Sequence, residues 1–438
     1  MGHLTLNHVI RAIYGLSYET FEVTGPQMVL TMKLTTFAWN VWDGRRPVEE
    51  LDNWQKEKRV VQYPSLLTFL GYAFYFPGVL VGPYLEYAEY MKLVDGSLFK
   101  LTDKADAQSK SWFSGRRMVP NGRKRVAYWK MLMGLIFLGL FVVFGGNSSF
   151  SASLGGEFLK KSLLTRIAVF QFYGFIERTK YYAIWTLTEG AAILTGLGFT
   201  GYSTSGASKW EGAANVRVWS IEFSPNFKVL LDSWNMKTNV WLRECVYKRV
   251  TPKGKKPGFR SSMITFATSA FWHGIAGGYY LTFIFGGFIQ TVARLCRTHL
   301  RPLFLPANYV TSRTAPPPPQ TPLKRVYDIL GTLSSTMILN YVAAPFILST
   351  ISDSMIAWRR LGWYGNWMIG VAIVFFYGGG TKFLRRLQAD RVKKAGVEVS
   401  KKDDGKTSGT ATPVVQVPPL DDVAQQLEKA DFMAKMRD

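Results

Sequence analysis

Cysteine, histidine and acid are all scarce in this sequence. Two cysteines, Cys245 and Cys296, stand far apart in 438 residues, with no CxxC pattern. That argues against both a disulfide framework and a cysteine zinc site. Four histidines are present, and 30 acidic residues face 53 basic ones. No Walker A, HExxH or GxSxG motif occurs, so the common ATPase, zinc-protease and serine-hydrolase routes lack their motifs. The start, "MGHLTLNHVIRAIYG", has no signal-peptide core. Its sixth residue is Leu6, where myristoylation calls for Ser or Thr.

Apolar residues, by contrast, are abundant, at 47% of the chain, and they come in long uncharged runs between short charged connections. A hydrocarbon core of ~30 Å needs ~20 helical residues, so such runs predict membrane helices that satisfy their own backbone hydrogen bonds. The net charge of +23 sits beside these runs, in "GRRMVPNGRKR", "KRVTPKGKKPGFR" and "KFLRRLQADRVKK". That is the pattern of cytosolic loops and of headgroup attraction, and it speaks against nucleic acid as a partner.

The fold class expected is therefore an all-α polytopic membrane protein with about eight to ten membrane segments. Candidate runs lie at 26–42, 128–146, 158–176, 181–199, 328–351 and 361–380, with "ERTK" joining the third and fourth. The run "SLLTFLGYAFYFPGVLVGPYLEYAEY" is broken by Pro77 and Pro83 and has basic flanks on both sides. It either enters and returns or crosses twice with short helices. Between Arg260 and Arg294 lie 33 residues without acid, Lys or Arg. As one helix they would reach ~50 Å, so a break is expected, at Gly277-Gly278. If 181–199 ends in the lumen, the segment 218–234 must dip into or through the membrane. "NSS" at 147–149 fits a lumenal end for the 128–146 span. The domain expected is 1–391, with a polar, disordered cytosolic tail over 392–438 that closes on a short amphipathic segment.

Three constellations carry candidate chemistry. His273, in "SAFWHGIAGGYY", is the one histidine deep in an apolar run. Ionisable groups inside a membrane are costly and functional by default, and neutral imidazole remains a competent base. The bland alternative is a packing histidine. In "SWNMKTNVWLRECVYKR", Trp234, Thr238, Trp241 and Leu242 recur at near-helical spacing around Asn235, Lys237 and Asn239. This is either an interfacial helix or the polar wall of a chamber. In "RTKYYAIWTLTEGAAILTGLGF", Glu189 lies in an apolar stretch and needs a partner, in a structural or a functional role. "GLGFTG" at 196–201 matches GxGxxG, but it ends a membrane helix, so helix-end glycines explain it better than a nucleotide site.

These stretches, together with "YPSLLTFLGYAFYFPGVLVGPYLEY", resemble the membrane-bound O-acyltransferase family, and within it the fungal lysophospholipid acyltransferases. The resemblance runs from about residue 1 to about 385. It implies a helical bundle around a central catalytic chamber in the endoplasmic reticulum membrane. It also implies an acyl-CoA donor, a lysophospholipid acceptor, no cofactor and no metal. It makes His273 and Asn235 the active-site pair. The substrate-contacting candidates in the same motifs are Lys180, Glu189, Lys237, Thr238, Trp241, Arg243 and Trp272. Such proteins carry further helices ahead of the point matched by Met1, so the expectation is a chain shortened at its N-terminus, and a longer form as the competent enzyme. Two rivals stand beside this reading. One is the same family with a sterol, diacylglycerol or protein acceptor. The other is a transporter, against which the absence of an internal repeat speaks.

On this reading His273 takes the acceptor hydroxyl's proton. Asn235 either donates to the oxyanion or orients the imidazole. Neither motif presents an obvious nucleophile, which favours direct transfer, and Cys245 is the only thiol nearby. Lys237, Arg243, Lys248 and Arg249 either meet CoA phosphates or anchor the cytosolic face.

Overall fold

A computed structural model describes residues 1–16, 23–99, 119–251, 258–309 and 316–396. Among these, helices dominate, and the sheet is one hairpin, β1 (Gly201–Tyr202) with β2 (Ser208–Lys209). The all-α expectation holds. The N-terminal stretch forms α1 (Gly2–Ile13), which packs on α2 (Thr24–Gly44), the first apolar run. Then come α3 (Asn53–Lys58), α4 (Leu66–Ala73), α5 (Tyr87–Val94), α6 (Arg123–Phe144), α7 (Gly156–Leu159) and α8 (Leu163–Thr195). After the hairpin follow α9 (Val218–Glu222), α10 (Phe227–Ser233), α11 (Met236–Leu242), α12 (Phe259–His273) and α13 (Gly277–Leu295). The last group is α14 (Pro322–Leu348), α15 (Ile351–Arg360), α16 (Tyr364–Phe375) and α17 (Thr381–Lys394).

Among the described residues, three helical spans are long and apolar enough to cross a membrane: α6, α14 and the Tyr364–Lys394 span, in which α16 and α17 meet at a kink where Gly379 takes φ 115°. This is fewer than the eight to ten segments expected from the runs, and the reasons are local. The runs at 158–176 and 181–199 are one 33-residue helix, α8. "ERTK" is not a loop, because its charges are paired inside the bundle. Arg178 grips Glu222 with Nε at 2.8 Å and Nη2 at 2.7 Å, and Lys180 meets Glu177 at 3.3 Å. The segment 218–234 forms two helices of five and seven residues, α9 and α10. Even end to end these reach only ~18 Å, so of the two forms expected there, a dip fits this length and a full crossing does not. The proline-broken run gives the eight-residue α4, ~12 Å long, and a tight turn at Phe76–Gly78. That fits entry and return, not two crossings.

The break after His273 falls at 274–276, ahead of Gly277-Gly278. Those two glycines instead open α13. A Cβ on Gly278 would lie 2.0 Å from the Pro345 carbonyl oxygen, so only glycine lets α13 approach α14 there. "GLGFTG" does end a helix: Gly196 closes α8 at φ 99°. α17 carries the fold beyond the expected boundary at 391, to Lys394. The rest of the tail, including the amphipathic segment expected at its close, lies outside the described residues.

In lipid, helices gain little from hiding apolar surface from one another, so close approach and polar contacts must hold them. α6 and α8 do both. A Cβ on Gly134 would sit 3.0 Å from the Ala183 carbonyl oxygen, and one on Gly190 would sit 2.8 Å from that of Ala127. Lys130 on α6 meets the buried Glu189 on α8 at 2.9 Å. The largest core joins α8, α10, α13, α14 and α15, with Tyr341 stacked on Trp358 at 4.9 Å. That core fixes α8 and α14, the two walls from which the candidate site is built.

Candidate active site

The Asn235 motif begins where α10 ends. Ser233 and Trp234 lead into Asn235, which takes a left-handed conformation, φ 46° and ψ 52°, before α11 starts at Met236. Outside glycine, asparagine is among the residues that tolerate this region best. The turn opens the helix without a side-chain cap of its own, so the first N–H groups need outside acceptors. Asn215 supplies them. Its carbonyl oxygen accepts from Met236 N at 2.9 Å, and its Oδ1 accepts from Lys237 N at 2.9 Å. Its Nδ2 then donates to Asn235 Oδ1 at 3.1 Å.

That chain of bonds fixes the Asn235 amide. A backbone N–H can only donate, so the Asn215 atom facing Lys237 is the oxygen. The other Asn215 atom is therefore NH₂, and the Asn235 atom it meets is the carbonyl oxygen. The Asn235 Nδ2 makes no hydrogen bond among the described residues, so two N–H donors are left for a ligand.

α8 braces the turn from behind. Trp234 lies in an aromatic cage of Trp185 at 5.0 Å, Tyr181 at 5.4 Å and Tyr182 at 6.1 Å. Thus "RTKYYAIWTLTE" supports the Asn235 turn chiefly through its rings. Its two charged candidates have other partners: Glu189 faces Lys130, while Lys180 faces Glu177 and the Phe141 and Tyr181 rings.

His273 is held differently. It is the last residue of α12, half-buried, and its neighbours are rings. It stacks on Phe283 at 5.4 Å and 21°, meets Phe346 edge-on at 4.8 Å, and has Tyr279 at 5.9 Å. The imidazole makes no hydrogen bond among the described residues. Gly274 follows at φ 139°, and Gly278 N donates to Ser349 O at 2.7 Å, tying the corner to the end of α14. A Cβ on Gly274 would come within 3.3 Å of His8 Nδ1. α1 therefore brings a second imidazole to the same corner.

No hydrogen bond joins Asn235 to His273. What couples the two motifs is an indole pair, Trp241 on α11 and Trp272 beside His273, 5.5 Å apart. Both hang on α2: Trp241 Nε1 donates to Thr35 Oγ1 at 2.9 Å and Trp272 Nε1 to Met28 O at 3.1 Å. Thr238, also buried, points at Met32 Sδ on the same helix, 3.4 Å away. These three candidates are packed into α2 and build the wall between the motifs. Cys245 is buried there too, 3.4 Å from Thr36 Oγ1.

The cations expected near CoA each have a carboxylate. Lys237 is 4.0 Å from Glu89, Arg243 is 2.7 Å from Glu244, and Lys248 is 2.6 Å from Asp52. Arg249 pairs with Asp43 and lies over the Trp39 ring at 4.4 Å. Behind Lys237 sits a buried cluster in which Lys58 reaches Glu86 at 3.4 Å and Glu89 at 3.3 Å. Burial pushes the Glu86 carboxyl above its usual range, and the Glu89 charge adds to the rise. Burial opposes ionisation of Glu89 as well, but Lys237 and Lys58 hold its pKa below the usual range.

Sequence reasoning missed Asn215 and His8. Asn215 lies 20 residues before its partner in a stretch with no helical pattern. His8 was visible only as the residue one turn after the buried Leu4 on an amphipathic helix.

Comparison with known proteins places the chain. Residues 10–315 match the model of the membrane-bound O-acyltransferase family. The chain is 38% identical over 377 residues to a lysophospholipid acyltransferase of Schizosaccharomyces pombe, covering 86% of this chain and 70% of that protein. It is 37% identical to one of Saccharomyces cerevisiae, covering 86% of this chain and 61% of that protein. It is 31% identical to human membrane-bound glycerophospholipid O-acyltransferase 2, covering 84% of this chain and 66% of that protein.

Proposed function

The chain belongs to the membrane-bound O-acyltransferase family, and from that premise we propose that it transfers a fatty acyl group from acyl-CoA to the free hydroxyl of a lysophospholipid. The names of its relatives point to the acceptor. The observation that carries the chemistry is the Asn235 amide, whose oxygen is occupied by Asn215 and whose NH₂ is left to donate.

His273 takes the proton of the acceptor hydroxyl as that oxygen attacks the thioester carbonyl. Its ring, which makes no hydrogen bond among the described residues, is open to a hydroxyl. The carbonyl oxygen gains negative charge, and Asn235 Nδ2 donates to it. One such donor contributes ~3 kcal/mol in a site that excludes water. The tetrahedral species then collapses, the C–S bond breaks, and the CoA thiolate takes the proton from imidazolium or from water. No acyl-enzyme forms, since Cys245 is buried against Thr36. The step needs no metal and no cofactor.

Of the two roles open to Asn235, oxyanion donor is the one this geometry favours. Orienting neutral imidazole through its N–H would draw on the Asn235 oxygen, one of whose two acceptor positions Asn215 already fills. Because Lys237, Arg243, Lys248 and Arg249 are paired, they shape the cytosolic wall, and CoA phosphates would have to compete with carboxylates for them. We place the reaction in the endoplasmic reticulum membrane, with acyl-CoA arriving from the cytosol.

The test is acyl transfer in membranes holding the chain, with radiolabelled acyl-CoA and a panel of acceptors. Label is expected in phospholipid when lysophospholipids are supplied. Label in sterol ester or triacylglycerol instead would move the acceptor class. No transfer to any acceptor would overturn the activity.

A further inference from the structure

The basic end of the chain's last described helix has no part in the acyl-transfer site, yet it forms one wall of a cavity. This cavity, about 460 Å³, lies between α17 and the segment that follows α13. Its apolar lining comes from Pro302 on one side and Leu384 and Val392 on the other, and its polar lining includes His299, Arg385 and Lys393. The two walls are tied together. Arg391 donates through Nη1 to Pro302 O at 2.9 Å and through Nη2 to Leu305 O.

Three properties define what fits here. The first is charge. Arg385 and Lys393 have no carboxylate partner among the described residues, and no carboxylate lines the cavity. This is the reverse of the Asn235 region, where Lys237, Arg243, Lys248 and Arg249 each face a carboxylate. Arg385, Ala389 and Lys393 follow at i, i+4 and i+8, so the two cations stand ~12 Å apart on one stripe, with a small residue between them. The second is the apolar floor. Leu384, in the lining, belongs to a buried cluster with Leu295 and Phe376. The third is position. The kinked Tyr364–Lys394 span is uncharged over its first half and carries six cations from Lys382 to Lys394. The cavity lies along the charged half, from Leu384 to Lys393, next to the end of the apolar half, and basic residues flanking an apolar span sit at headgroup level.

We infer that this cavity is a binding site for an anionic phospholipid, its phosphate between Arg385 and Lys393 and its glycerol and upper acyl carbons against Pro302, Leu384 and Val392. Free phosphate would use the cations but leave the floor empty. A zwitterionic lipid would use the floor but bring its own cation to the rim. The volume lies within the range usual for small-molecule sites.

The experiment uses the full 438-residue chain in a neutral detergent and reads thermal stability against added dioctanoyl phosphatidic acid. Parallel arms use dioctanoyl phosphatidylcholine and inorganic phosphate. Phosphatidic acid is expected to raise Tm in a saturable way, and the other two to do so little or not at all. In Arg385→Gln/Lys393→Gln the apparent Kd for phosphatidic acid should rise about thirtyfold, at about fivefold for each cation near an anionic surface. Ala389→Glu, which sets a carboxylate between the cations, gives a second route if the double variant folds poorly, and it should abolish the shift. Neither variant touches the acyl-transfer machinery, so basal transfer should persist in both. An equal shift from phosphatidylcholine would overturn the charge argument, and one from phosphate would overturn the lipid as occupant. A shift unchanged in both variants would overturn the location.

Discussion

The two halves of the candidate site are built in opposite ways. Asn235 is fixed by polar bonds, since Asn215 makes three hydrogen bonds to three successive residues of its turn. His273 is fixed by shape, between Phe283 and Phe346 and on a glycine hinge pinned to α14, with no hydrogen bond to its ring nitrogens among the described residues. The difference follows from what each must do. A donor to a developing oxyanion must not reorganise, so its other atoms are tied down. A base must gain and lose a proton, and a standing hydrogen bond to protein would compete with the substrate hydroxyl.

The largest break should come at His273. His273→Ala removes the base, and transfer should fall on the order of 10²–10⁴-fold while the protein still folds. Activity within threefold of wild type in folded protein would remove His273 from the mechanism. Asn235→Ala should lower kcat on the order of 10²–10³-fold. A change confined to KM for the lysophospholipid would show that Asn235 positions the acceptor instead. Phe346→Leu should leave the Asn235 side intact and loosen only the imidazole, for a loss on the order of tenfold. An unchanged rate would mean that ring packing does not set the base.

The smallest effect concerns pH, and it separates the two halves again. Lys237 connects the Asn235 turn to Glu89 and so to the Glu86 cluster. With its pKa raised by burial, folded Glu86 holds a proton that the unfolded chain releases. Its contribution to stability is therefore full below the ordinary carboxylate value of 4.5 and lost as pH rises to about 7. Glu86→Gln should flatten that fall. Tm compared at pH 5 and 7.5 measures it, and an equal slope in both proteins would contradict the assignment.

Much of this was legible in the sequence, for a physical reason in each case. α2, α6 and α14 are long apolar runs, α6 with a basic start and α14 with a capped one, and His273 stood out as the one histidine deep in an apolar run. α8 was misread as two helices because its charges look like a loop until Glu222 and Glu177 are seen beside them. The passage from 218 to 234 looked apolar enough to cross, but Ser224, Pro225 and Asn226 divide it, and Asn226 caps a new helix. The hinge was placed three residues late because the Gly277-Gly278 pair serves close packing rather than the bend. Asn215 was out of reach altogether, as its role exists only once the chain has folded back on the Asn235 turn.

The central claim is that Asn215 acts through Asn235, holding its amide so that the NH₂ meets the oxyanion. The most direct measurement is a double-mutant cycle on kcat for acyl transfer, with Asn215→Ala, Asn235→Ala and the two combined. The account predicts that Asn215→Ala lowers kcat on the order of tenfold, and that in the Asn235→Ala background it lowers kcat no further. Two losses that simply multiply would mean that Asn215 and Asn235 act independently, and the account would be wrong.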